Sequence, residues 1–131
     1  MKTWRGAEEM SATVEEILAL ADVEKCLEET GAASTHGHCH NACVWLMIQI
    51  KKANLSDYNV CWCVGTFWGK DHSWLLVQHP DGDEAVVDMT VNQFVNRPVP
   101  HTGPMTDEYE VFDSALLCDS DKIAELVERA G

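Results

Sequence analysis

The hydrophobic period of this chain changes near residue 55. Up to Asn54 the apolar residues recur at three- and four-residue steps, and beyond Ser56-Asp57 they alternate or run together. Helices come first and strands follow, which predicts an α+β domain with an antiparallel sheet and excludes a βαβ repeat. With 131 residues the chain has room for one such domain, spanning 1–131.

In the first part, Val14, Ile17, Leu18, Ala21, Val23 and Leu27 predict one long or two short amphipathic helices between Ala7 and Thr30. Gly31 follows, and 31–37 has the small polar composition of a loop. Ala42, Cys43, Leu46, Met47 and Ile50 predict another helix that starts at or after Cys39. It closes on Lys51-Lys52, whose charge suits a helix C-terminus. In the second part, 58–64, 73–78 and 85–89 read as three strands, with a turn at His79-Pro80-Asp81-Gly82-Asp83. The 96–106 stretch holds three of the four prolines and reads as a surface crossing, and Tyr109-Glu110-Val111-Phe112 offers a last strand. Ile123, Leu126 and Val127 mark a terminal helix capped by Asp119 or Ser120.

Charge narrows the partners. Nine basic residues against 22 acidic ones give a formal charge of −13, which repels phosphate backbones and anionic lipid, so neither nucleic acid nor membrane is expected as a partner. The apolar run 42–50 is interrupted by Gln49 and falls short of the ~20 residues a bilayer span requires. No apolar leader is visible in the first residues, so a cytoplasmic setting with six reduced cysteines is the expectation.

Among those thiols Cys39 stands out, because a loop of small residues becomes a helix there. A sulfur at that junction faces the unpaired N–H groups and the positive end of the helix dipole, which favours thiolate. A thiolate nucleophile needs a base and the base an orienting group, and the strands supply His72 and Asp88. Strand parity decides whether these two meet. A two-residue loop at Asp81-Gly82 would put them on opposite faces; a five-residue loop from Gln78 to Gly82 would set them directly opposite on one face. The proline favours the longer loop.

Taken together, Gly37-x-Cys39 opening a helix, a strand reaching Val64-Gly65, His72-Ser73-Trp74 and Val87-Asp88-Met89-Thr90 resemble the transglutaminase-like branch of the papain-like cysteine enzymes. That family's pattern is Gly-x-Cys, His-Ala-Trp and Asp-Pro-Thr in the same order. The match covers residues 37–93; Ser73 and Met89 replace its commoner Ala and Pro, and Lys51-Lys52-Ala53-Asn54-Leu55 replaces its Gly-Ile-Pro-Ala-Arg. The resemblance implies a papain-like fold, with N-terminal helices and the Cys helix packed on a small antiparallel sheet that carries His and Asp. It also implies a thiol hydrolase acting on an amide, either a cysteine protease or a protein-glutamine deamidase, with transglutaminase-type acyl transfer still open. Cys39 would be the nucleophile, His72 the base and acid, and Asp88 the orienting group, with no cofactor and a protein or peptide as substrate. Gly37, Gly65 and Trp74 are the candidate substrate contacts, in a groove formed by 65–70 and the 96–106 crossing.

Three alternatives stand beside this. Cys43, one turn further along the same helix face, is a second candidate nucleophile. His36, His38, Cys39, His40 and Cys43, completed by Cys61 and Cys63, have the ligand chemistry of a zinc site. A catalytically inactive module of the same fold would instead use its tryptophans to bind a peptide. Outside the zinc reading Cys61 and Cys63 are expected in the core, and Cys26 and Cys118 in the core or at its boundary.

Overall fold

The computed structural model describes residues 12–130. Two short helices open it. Helix α1 (Val14–Leu20) begins in a capping box in which the Thr13 hydroxyl accepts from the Glu16 N–H at 3.1 Å and the Glu16 carboxylate accepts from the Thr13 N–H at 3.0 Å. Helix α2 (Val23–Thr30) is capped by Asp22 and ends where Gly31 turns left-handed at φ 74°. The apolar periodicity runs through both, but Asp22 caps a new helix, so the chain forms two and not one. Residues 7–11 of the predicted helical stretch lie outside the described residues.

After the 31–38 loop comes α3 (Cys39–Lys52), which buries Ala42, Cys43, Trp45, Leu46, Met47 and Ile50. Strands β1 (Val60–Phe67), β2 (Lys70–Gln78), β3 (Glu84–Asp88), β4 (His101–Gly103) and β5 (Tyr109–Leu116) follow, and α4 (Ser120–Ala130) closes the chain. The Asp119 side chain caps α4, accepting from the Lys122 N–H at 3.2 Å. The strands form one antiparallel sheet in the order β4-β3-β2-β1-β5. No helix among the described residues is long and apolar enough to cross a membrane.

The α+β class expected from the sequence holds, with five strands: the three read from the pattern, the last strand offered at 109–112, and one more. Strand β4 adds three residues from the proline-rich crossing, and β5 returns to the far edge beside β1. Strands β1 and β2 run on past the expected ends and meet in a two-residue turn, with Trp68 at φ 50° and Gly69 at φ 76°. Residues 65–70 are therefore the tip of a hairpin, with 65–67 buried and 68–70 exposed.

Both faces of the sheet are covered, which is why β2 reads as the continuous run Trp74-Leu75-Leu76-Val77. Leu75 and Val77, with Trp62, Val87 and Ala115, pack against the helices. Trp74 and Leu76, with Cys61, Cys63, Phe67, Val86 and Tyr109, form a second core closed by Phe94, Val95 and Val99. At Gly65 the β1–β5 register slips, and a Cβ there would collide with the Glu110 carbonyl oxygen, so only glycine lets β5 approach.

Candidate active site

Strand β2 presents neighbouring residues to opposite faces, His72 to the second core and Ser73 to the helices. The β2–β3 loop has five residues, 79–83, because Gln78 remains in the ladder opposite Glu84. This register corrects the expected one. Continued by one step it puts Asp88 opposite Trp74, a diagonal step from His72 on the same face. The parity is as the longer loop requires, and the imidazole covers the diagonal distance.

His72 Nε2 lies 2.7 Å from Asp88 Oδ2, and both side chains are fully buried. The same Oδ2 accepts the Tyr109 hydroxyl at 2.8 Å, while Oδ1 accepts the Thr90 N–H at 3.0 Å. A carboxylate with three donors is well compensated for its loss of water. The imidazole is boxed in by rings: Phe94 meets it edge-on at 4.9 Å, Trp74 stacks at 5.8 Å, and Phe67 and Tyr109 close the sides. Such packing leaves the ring little freedom to rotate away from Asp88.

Cys39 is the first residue of α3 and is half-buried. Its N-cap, His38, makes no side-chain bond to the first turn. The loop before it is tied to the turn that follows Asp88: Gly37 N–H donates to Gln93 Oε1 at 2.8 Å, and the Thr35 hydroxyl donates to Asn92 Oδ1. These amide side chains join the loop before Cys39 to the turn that follows Asp88. With Nε2 engaged by Asp88, His72 Nδ1 is the ring nitrogen left for the thiol, and it makes no hydrogen bond among the described residues.

The two groups shift each other. Burial raises the Cys39 thiol, but hydrogen bonding and charge from His72, with help from Ser73, outweigh it and hold the thiol below its usual value. Burial alone would lower the His72 imidazole; the bond to Asp88, with the influence of the nearby Cys39 thiol, raises it instead to about 9. Both shifts move the pair towards a thiolate beside an imidazolium. Cys43 behaves oppositely: buried and out of reach of solvent, its thiol is pushed well above the ordinary value, by burial first.

The other sequence candidates divide by exposure. Gly37 is exposed in the loop before Cys39, whereas Gly65 and Trp74 are buried and offer a substrate no surface. Trp74 serves instead as a wall of the imidazole box. The zinc constellation comes apart because Cys61 and Cys63 face the second core, across the sheet from α3. His38 Nε2 and His40 Nδ1 are engaged by the hydroxyls of Thr30 and Ser73, each at 2.9 Å. Among the described residues no three His, Cys, Asp or Glu side chains gather to hold an ion. Cys26 is buried as expected, but Cys118 is exposed just beyond β5.

Tyr109, Phe94, Asn92 and Gln93 are parts of the site that the sequence pattern did not single out. Only the inward position of Tyr109 at the start of β5 carried a signal, and its use depends on β5 crossing to the β1 edge. No protein-family model, curated protein or solved structure matches this chain.

Proposed function

We propose that this chain is a thiol hydrolase of papain-like, transglutaminase-like kind that cleaves an amide in a protein or peptide. The observation that carries this reading is the buried Asp88–His72 pair with its second ring nitrogen free for a thiol at a helix N-terminus. In the proposed cycle Cys39 thiolate attacks the amide carbonyl, and the developing oxyanion leans on the first-turn N–H groups of α3. His72 Nδ1–H protonates the leaving nitrogen, releasing an amine or ammonia and leaving a thioester on Cys39. Neutral His72 then takes a proton from water, whose oxygen attacks the thioester, and the carboxylic acid departs. Ammonia as leaving group makes the reaction a deamidation; a peptide amine makes it proteolysis. An amine in place of water would make it acyl transfer. Thiolate chemistry suits a reducing setting such as the cytoplasm, and all six cysteines are free thiols.

The test is a mixed library of glutamine-containing peptides incubated with the protein and read by mass spectrometry for new termini and for glutamine converted to glutamate. Either product, abolished in Cys39→Ala, supports the reading. Absence of both, together with a Cys39 that alkylates no faster than an ordinary thiol, overturns it.

A further inference from the structure

Helices α1, α2 and α4 each begin under a side chain that holds their first turn: Thr13, Asp22 and Asp119 accept from the N–H groups of Glu16, Lys25 and Lys122. Helix α3 begins under none. Its N-cap residue, His38, has φ −111° and ψ 10°, outside the extended backbone from which a cap side chain reaches forward. The ring turns back instead to the preceding helix and is buried there, the residue being 8% exposed. His38 Nε2 lies 2.9 Å from the hydroxyl of Thr30, the last residue of α2. A hydroxyl has one proton to give. Thr30 gives it to a carbonyl, that of Cys26 at 2.6 Å, so its Oγ1 receives the His38 Nε2–H.

His38 is the residue before Cys39, and its carbonyl accepts the first bond of α3, from the Ala42 N–H at 2.9 Å. A first turn without a side-chain cap frays easily. Were His38 to swing out, that carbonyl would go with it, and the helix would start beyond Cys39. The thiol would then lose the N–H groups and the positive dipole end that favour thiolate.

We propose that the Thr30–His38 hydrogen bond stands in for the missing cap of α3 and fixes the start of that helix at Cys39 from the side of α2. Thr30 and His38 act through the helix start and are positioning residues. This inference rests on Cys39 being the nucleophile of the proposed hydrolase. A second bond between the same two helices provides the comparison: Trp45 Nε1–H donates to Glu29 Oε1 at 3.0 Å, further along α3. Both bonds hold α2 to α3, but only the first reaches the residue beside Cys39.

The experiment is the pH dependence of Cys39 alkylation by iodoacetamide, followed by peptide mapping on the whole chain, with urea unfolding of each variant beside it. Thr30→Val and His38→Leu are each expected to raise the alkylation midpoint by about half a pH unit, the size of a helix-terminus effect. The double variant matches either single one, because both remove the same bond. Thr30→Ser keeps the hydroxyl and His38→Gln keeps an N–H at the place of Nε2, so both retain the unmodified midpoint. Trp45→Phe unfolds at lower urea yet leaves the Cys39 midpoint where it was. Cys26 and Cys43 are buried, and their continued protection reports that a variant is folded; should one of Thr30→Val and His38→Leu expose them, the other decides. An unchanged midpoint in folded Thr30→Val or His38→Leu, or an equal shift in Trp45→Phe, overturns the anchor and leaves the hydrolase reading standing. An ordinary thiol midpoint in the unmodified protein overturns both.

Discussion

Cys39 and Cys43 are the same residue type, one turn apart on one helix. Cys39 lies at the helix end beside an imidazole and is half open to solvent, and its thiol is held below the usual value. Cys43 has four residues of helix before it, no cation against it and almost no solvent, and its thiol is pushed far up, by burial before all else. A displacement of one turn separates a thiol held below its usual value from a thiol locked in the core. Reactivity here is a property of address, set by the helix end and the partner, and cysteine content says little about it.

The largest test of the contrast is its reversal. Cys39→Ala should lower amide hydrolysis by about four orders of magnitude or more, whereas Cys43→Ala should leave it within a few fold, measured as kcat/KM on one peptide substrate. If Cys43→Ala were the silent variant for Cys39 alkylation but the dead one for hydrolysis, the assignment would be reversed. Next in size is the carboxylate. Asp88→Ala leaves a buried imidazole and a buried tyrosine hydroxyl without their acceptor, and should cost about 3–5 kcal/mol in urea unfolding. It should also return Cys39 alkylation towards the rate of a plain thiol.

A third test uses pH. The His72 imidazole is raised in the fold to about 9, from 6.5, so its contribution to stability is complete below pH 6.5 and is lost as pH rises through about 9. The Cys39 thiol is lowered, so its contribution is present above the usual thiol value and is lost as pH falls through its lowered one. The two slopes oppose each other between neutrality and pH 9. Cys39→Ala should therefore lose stability more steeply over that range than the unmodified protein, in urea unfolding at a series of pH values. The smallest expected effect is Tyr109→Phe, which removes one of the two donors on Asp88 Oδ2. It should cost about 1 kcal/mol in the same unfolding assay and leave Cys39 the fast thiol.

The parts of this site that were legible in the sequence are those fixed by local patterns. Cys39 marks a change from loop to helix, and Asp88 and His72 share a face because strand parity counts residues. The diagonal step between them was not legible, since it turns on whether Gln78 sits in the ladder or in the loop. His79 N–H donates to the Asp83 carbonyl and Gly82 N–H to the His79 carbonyl, which leaves Gln78 outside the turn. The β1–β2 turn was hidden by Trp68, a bulky residue at positive φ where glycine or asparagine is the usual signal. Strand β4 is three residues between prolines, too short for any period to show. Tyr109 was out of reach for a different reason: its contact with Asp88 exists only because β5 passes three strands to reach the outer edge of β1, and hydrophobic alternation carries no strand order.

The amide side chains of Asn92 and Gln93 touch none of the reacting groups, yet they clamp the loop that ends at Cys39 to the exit of β3. The clamp makes two stretches more than fifty residues apart in the chain into one mechanical unit. A thermal opening that frees one must free the other, so thiol and carboxylate leave their places together or not at all. An exposed glycine amide at position 37 would inherit the protection of the turn after β3 to which it is tied.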